Sequence, residues 1–258
     1  MPSLDEILQR VQDKTTRLQS RGQGGGDARR QVGTNGRDFL VAATSDDSVL
    51  IGQGGNDRLF GRFGNDAISG GSGRDIIDGG FGDDFIQGDG GNDRLFGKFG
   101  NDQIFGGSGN DLIDGGGDND FLDGGQGNDV ISGAVGSDRI IGGAGNDIIT
   151  GGSNAGTGNP LEIDELIGGG VDANGFPIFD NVSDTFVLGD DGGLFYNRGG
   201  SGDYAILIDF EPGVDVLDFG RAAGALSVEV GVFFSPFDSA IFEGNDLIAI
   251  VLEVDITA

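Results

Sequence analysis

Between Gly52 and Thr150 a nine-residue pattern of polar and apolar positions repeats eleven times without interruption. Units such as GQGGNDRLF, GRFGNDAIS, GGSGRDIID and GGFGDDFIQ carry Asp at position 6 and Leu or Ile at position 8 in every copy. One such apolar position in nine suits neither the 3.6-residue period of an amphipathic helix nor a membrane span of about 20 apolar residues. It suits a strand that buries a single side chain. Positions 7 to 9 are therefore predicted to be a three-residue strand, with position 8 inward and positions 7 and 9 outward. The six residues before them form a tight turn, with glycines at positions 1, 2 and 4 supplying backbone angles that other residues avoid. Leu59, Ile68, Ile77, Ile86, Leu95, Ile104, Ile113, Leu122, Ile131, Ile140 and Ile149 would be the whole core of this region. A fixed period of this kind predicts a solenoid.

The pattern loosens at both ends. Two weaker units, GTNGRDFLV and AATSDDSVL, occupy 33–41 and 42–50. After Gly152, two degenerate units containing Asp164 with Leu166 and Asp184 with Phe186 flank an insertion at 171–181. Residues 185–258 alternate short apolar, β-branched stretches with Gly and Pro, and read as strands. At the other end, Ser3 and Glu6 have capping-box spacing, and Leu4, Ile7, Leu8, Val11 and Leu18 share one helical face. The predicted organisation is a helix and Gly-rich linker over 1–32 and a repeat roll over 33–151. Degenerate repeats over 152–190 and a β-rich cap over 191–258 follow.

Composition sharpens this picture. Gly 55 is about three times the ordinary share, yet glycine does not fall at every third position and Pro is only 5, so collagen is excluded. His 0 and Cys 0 remove the ligands of zinc and iron–sulfur sites, and with them His-based triads and catalytic cysteines. The formal charge of -28 argues against nucleic acid as a partner. Charge is also segregated: the first 37 residues hold 7 basic and 4 acidic side chains, and the remainder 8 and 39. No stretch is long and apolar enough for a membrane span, and MPSLDEILQR lacks the apolar core of a cleaved signal peptide.

Two units make one coil of 18 residues, so equivalent turns stack about 4.8 Å apart. Asp57, Asp75, Asp93, Asp111, Asp129 and Asp147 then line one edge, and Asp66, Asp84, Asp102, Asp120 and Asp138 the other. Neighbouring carboxylates at that spacing repel by roughly 3.5 kcal/mol at an effective dielectric of 20. Several such pairs exceed the ~5–15 kcal/mol by which a domain is stable. Calcium resolves the conflict, because it takes carboxylate and carbonyl oxygens together and needs no nitrogen or sulfur. About nine or more Ca²⁺ ions would be needed to fill the ladders, one between each successive pair of carboxylates. Asp38, Asp47, Asp164 and Asp184 are further candidates in the looser units.

With this nonapeptide the chain resembles the RTX, or haemolysin-type calcium-binding, family over about residues 33–190. The resemblance implies an all-β, right-handed parallel β-roll in which ions sit between coils, held by position-6 carboxylates and turn carbonyls. The corresponding carbonyls here belong to Gly55, Gly64, Gly73, Gly82, Gly91, Gly100, Gly109, Gly127, Gly136 and Gly145. The sequence departs from the glycine pattern at position 2 in Gln53, Arg62, Asp89, Lys98 and Ala134, and at position 4 in Asp118. The C-terminal block is similar to the region that caps such repeats in stand-alone cyanobacterial members, which leave by type I secretion with an uncleaved C-terminal signal. That implies an extracellular or cell-surface protein that folds on meeting calcium outside.

No H-E-x-x-H or G-x-S-x-G motif occurs, so an enzyme is not expected. The outward positions carry the remaining candidates. Phe63, Phe81 and Phe99 should stack as an aromatic ladder, while Phe60, Phe96 and Phe105 at position 9 and Phe85 and Phe121 at position 7 add outward rings. These groups, or the basic N-terminal segment, could meet further copies of the chain or an anionic cell surface. The expected role is structural, surface-associated or self-assembling. The alternatives are a monomeric adhesion or calcium-buffering module and a secreted enzyme with an active site in the C-terminal block.

Overall fold

A computed structural model describes residues 30–43, 45–152, 163–170 and 183–187. It also describes the later strands at 189–190, 193–194, 204–208, 216–218, 226–230, 239–243 and 246–252. The helix expected over 3–20, the insertion at 171–181 and the last six residues lie outside the described residues.

The repeats coil into two facing parallel sheets, one unit contributing a strand to each in turn. One sheet stacks β1 (Arg30–Val32), β3 (Val49–Gly54), β5 (Ala67–Ser72), β7 (Phe85–Gly90), β9 (Gln103–Ser108), β11 (Phe121–Gln126) and β13 (Arg139–Ala144). It continues through β15 (Ile163–Ile167) and β19 (Tyr204–Ile208) to β23 (Asp246–Leu252). There β22 (Ser239–Glu243) and β21 (Leu226–Val230) add antiparallel and end it. The other sheet stacks β2 (Phe39–Val41), β4 (Arg58–Phe63), β6 (Ile76–Phe81), β8 (Arg94–Phe99) and β10 (Leu112–Gly117). It runs on through β12 (Val130–Val135), β14 (Ile148–Gly152), β16 (Thr185–Val187) and β20 (Val216–Asp218). A two-residue hairpin, β17 (Gly189–Asp190) with β18 (Gly193–Leu194), stands apart.

The predicted core is present. All eleven position-8 residues are buried between the sheets, and Leu50, Leu166, Phe186 and Leu207 extend the line beyond the regular units. Pairing keeps strict 18-residue register, as in Leu59↔Ile77 and Ile77↔Leu95. It then absorbs the longer spacings after Gly152, with Ile140↔Leu166 and Ile149↔Phe186.

Three expectations need correction. The strands hold six residues and not three, running from position 7 through position 3 of the next unit, and the turn shrinks to positions 4 to 6. Pairing keeps its register on either side of the position-1 glycine, which itself takes no ladder pair, and Gly52 and Gly61 are buried within strands. Position 1 also has no positive φ. Its glycine is required by space: a Cβ on Gly52 would fall on Asp57 Oδ2 and the Gly70 carbonyl. Finally, Arg30–Val32, expected as linker, is a strand paired with Val49–Ile51, where it satisfies the edge of the first full coil.

Outward positions differ between the sheets. On the larger one Val49, Ala67, Phe85 and Ile141 are buried, whereas on the smaller one Phe39, Val130, Ile148 and Val216 are exposed.

Candidate metal centre

Each ladder aspartate sits at the end of a three-residue turn, where it closes the turn onto the next strand. Its own amide donates to the carboxylate one coil further on. Asp57 N–H reaches Asp75 Oδ1 at 2.7 Å, Asp75 reaches Asp93 at 2.7 Å, and Asp111 reaches Asp129 at 2.7 Å. On the second edge Asp66 reaches Asp84 at 2.7 Å, and Asp102 reaches Asp120 at 2.8 Å. All eleven carboxylates are buried. The two edges predicted from the period are therefore two continuous hydrogen-bonded ladders.

The looser units join them with one exception. Asp38 donates to Asp57 Oδ1 at 2.7 Å, and Thr34 N–H and Oγ1 donate to Asp38 Oδ2. Asp138 donates to Asp164 Oδ1 at 2.9 Å and Asp147 to Asp184 Oδ1 at 2.8 Å, although 26 and 37 residues separate them. Asp47 does not take a ladder position. The unit beginning at Ala42 has ten residues, because Leu50 pairs with Ile68 and Ile51 precedes Gly52. Ser48 therefore occupies the ladder position and donates to Asp66 Oδ1 at 2.6 Å. Asp47 is exposed one residue earlier, accepting the Asn65 amide.

A second ladder lies outside the first. At position 5, Asn56 Oδ1 accepts the Arg74 amide at 3.1 Å, Asn110 accepts Asn128 at 3.1 Å, and Asn128 accepts Asn146 at 3.1 Å. This ladder accepts from the following coil, whereas position 6 donates to it, so each coil gap is tied in both directions. Asn recurs at position 5 in eight of the eleven units, a signal that was open to view in the sequence.

The electrostatics set the problem that a cation would solve. Oδ1 is engaged, but Oδ2 of Asp57, Asp75, Asp93, Asp102, Asp111, Asp120 and Asp129 is buried and accepts no hydrogen bond. A buried carboxylate oxygen without a partner is costly. Burial raises Asp93 and Asp102 to about 7, against the relief supplied by the neighbouring amide. Asp120 is pushed to about 9, mainly by burial and further by Asp138, Asp102 and Asp118. Burial likewise lifts Asp129 to about 6 and raises Asp57, Asp75 and Asp111.

The donor set suits a hard cation that mixes carboxylate and backbone oxygen. Among the described residues no three acidic side chains form a metal cluster, so further ligands must come from the backbone. Position-4 carbonyls stand in the coil gaps: the Gly55 oxygen fills the space that a Cβ on Gly73 would need, and Gly64 does the same to Gly82. Gly73, Gly82, Gly91, Gly109 and Gly127 repeat the arrangement, and Gly100, Gly136 and Gly145 hold the same turn position with positive φ. Calcium bound there would supply positive charge to oxygens that otherwise repel one another. The orphaned Oδ2 atoms fit it.

Every departure from the glycine pattern carries positive φ. Gln53, Arg62, Asp89, Lys98 and Ala134 lie at φ 69–87°, while the position-2 glycines Gly71 and Gly80 lie at 98° and 111°. A Cβ pulls the backbone toward the left-handed helical region, the nearest part of that half of the map an L-residue tolerates. Asp118, at position 4, does the same at 75°, where Gly73 and Gly82 reach 123° and 117°.

Of the outward rings, Phe63 and Phe81 stack at 5.2 Å and 8°, and Phe81 and Phe99 at 4.9 Å and 11°. Phe85, Phe105 and Phe121 form a tilted row on the larger sheet, and Phe60 packs against Phe39. Lys98 Nζ lies 4.7 Å over the Phe96 ring.

Fold and site together define a parallel β-roll whose turn edges are carboxylate ladders suited to hard cations. The RTX calcium-binding nonapeptide repeat matches the chain in overlapping segments at 32–68, 51–86, 69–104, 87–122, 98–131 and 123–157. Over residues 32–157 the chain belongs to that family, whose repeats bind calcium. No curated protein matches the chain significantly.

Proposed function

We propose that this is a non-enzymatic, secreted, calcium-folded protein with a structural role at the cell exterior. The observation that carries the reading is the row of buried Oδ2 atoms of Asp57, Asp75, Asp93, Asp102, Asp111, Asp120 and Asp129, none of which accepts a hydrogen bond. In a calcium-poor interior the ladders repel and the chain stays unfolded for export through a type I channel. At the calcium levels outside cells, typical modules of this kind bind at about 10⁻⁴–10⁻³ M, and the roll closes. The ladder aspartates and position-4 carbonyls are its ligands, with Ser48 in place of Asp47 at one end. Among the described residues no helix is long and apolar enough to cross a membrane.

Circular dichroism during a calcium titration, reversed with EGTA, tests the folding step. Strand signal should appear with calcium and vanish with chelator, and full strand signal in EGTA at pH 8 would sink the mechanism. Exposed Phe39, Phe63, Phe81 and Phe99 favour a surface- or self-associating role over a freely diffusing calcium buffer. Light scattering in calcium separates self-association from a single ~26 kDa species.

A further inference from the structure

The roll is acidic almost everywhere, yet its few cations are not scattered. Of the eight basic residues after position 37, four stand on two strands: Arg58 and Arg62 on β4, and Arg94 and Lys98 on β8. All four are exposed. The intervening strand β6 puts Asp78 between Phe60 and Phe96 and ends in Phe81. Asp83 in the adjoining turn, Asp114 paired with Phe96 on β10, Asp118 accepting the Gly100 amide and Asp47 accepting the Asn65 amide border the same strands. Arg94 and Lys98 lie over the Phe96 ring. Arg62 and Lys98 immediately precede Phe63 and Phe99 of the ring ladder in the chain, and Phe63, Phe81 and Phe99 are each about half exposed (52%, 51% and 56%).

The ring geometry restricts what can bind. The inner faces of the three rings are used on one another, at interplanar angles of 8° and 11°. What they offer outward is a line of apolar edges. Sugar rings and bases dock on aromatic faces, so a soluble carbohydrate or nucleic acid gains little here. Apolar edges gain free energy only by entering an apolar medium. Cations next to them in the chain gain only from anions. An anionic lipid surface supplies both at one boundary, and the surrounding carboxylates keep the rest of the roll off it.

We infer that Arg62, Phe63, Phe81, Lys98 and Phe99 form a ridge that docks on an anionic lipid surface, the rings entering the headgroup boundary and the cations meeting phosphate. This deepens the proposed surface role and rests on it for the location, but not for the contact itself.

Two variants use residues that the roll already accepts. Ser occupies position 3 at Ser72 and Ser108, so Phe63→Ser/Phe81→Ser/Phe99→Ser preserves the repeat pattern. Gly occupies position 2 at Gly71 and Gly80, so Arg62→Gly/Lys98→Gly removes two positive-φ side chains. The assay is flotation with phosphatidylglycerol/phosphatidylcholine vesicles at matched calcium, since calcium itself can bridge carboxylates to phosphate. The wild-type chain should float with mixed vesicles and not with phosphatidylcholine alone, and each variant should lose at least about tenfold in affinity. Because the chain has Trp 0, Phe81→Trp gives a single reporter whose emission should shift to the blue on the vesicles.

Wild-type affinity retained in both variants, or no vesicle binding by the wild type, overturns the proposal. Loss in the cation variant alone, together with competition by a soluble polyanion, overturns it in favour of a polyanion site. Circular dichroism on the same samples reads folding separately. Full strand signal in EGTA at pH 8 would sink the calcium-folding reading while leaving the vesicle result to stand or fall alone.

Discussion

The two edges of the roll carry the same aspartate ladder in different surroundings. Hydrogen bonds along Asp57 to Asp147 and along Asp66 to Asp138 are alike at 2.7–2.8 Å. Around them the turns diverge. The first edge departs from glycine only at Gln53 and Asp89, and the second at Arg62, Lys98, Asp118 and Ala134, with Phe63, Phe81 and Phe99 alongside. The ion-facing chemistry is held constant while the solvent-facing chemistry varies. A ladder tolerates no gap, because each carboxylate receives the amide of the coil before it. An outward side chain answers to no such neighbour.

The largest effect expected from breaking this comparison is that of protons. Ladder carboxyls lifted above the usual 3.8 bind protons more tightly folded than unfolded. Their stabilisation is complete below pH 3.8 and is lost as pH rises through about 6 to 9. In EGTA the protein should therefore show more strand signal at pH 5 than at pH 8. Calcium, which needs the ionised form, should bind more weakly at pH 5. Asp120→Asn on the second edge should move the metal-free transition more than Asp129→Asn on the first, as their values of about 9 and about 6 require.

Next comes crowding at position 4. In Gly73→Ala the new Cβ meets the Gly55 carbonyl at a φ of 123°, and a loss of about 3 kcal/mol or more is expected from chemical denaturation in calcium. Removing one ladder rung should cost somewhat less. Asp111→Ala and Asp102→Ala orphan the amides of Asp93 and Asp84, each at about 2–3 kcal/mol, with the two edges equal within error. Markedly unequal losses would show that the turn residues alter the rungs. The smallest effect has the opposite sign. Lys98→Gly or Ala134→Gly on the second edge should raise stability by up to about 1 kcal/mol by relieving positive φ.

Much of the site was legible because the period is rigid. Once two units close a coil, every Asp at position 6 must stack, and Asp164 and Asp184 follow because their strands pair in register across longer connections. Asp47 was misplaced for the same reason: a nine-residue frame cannot reveal a ten-residue unit, and only the pairing of Leu50 with Ile68 exposes the extra residue. Strand length was underestimated because glycine at position 1 looked like turn chemistry. In the roll it is the space beside the carboxylate that excludes a side chain there. The position-5 asparagines were visible but carried no meaning until two coils lay side by side.

Local chemistry at a fixed period thus determined the parallel roll, its single-file core, the paired carboxylate ladders and the six positions where glycine is missing. These follow from nearest-neighbour stacking, which repeats whatever one unit does. The tertiary structure alone decided which carboxylate oxygen is orphaned, which rings have their faces occupied, and which sheet face is buried and which is open to solvent. Those depend on how coils lie against each other and on segments distant in the chain, and no single unit contains that information.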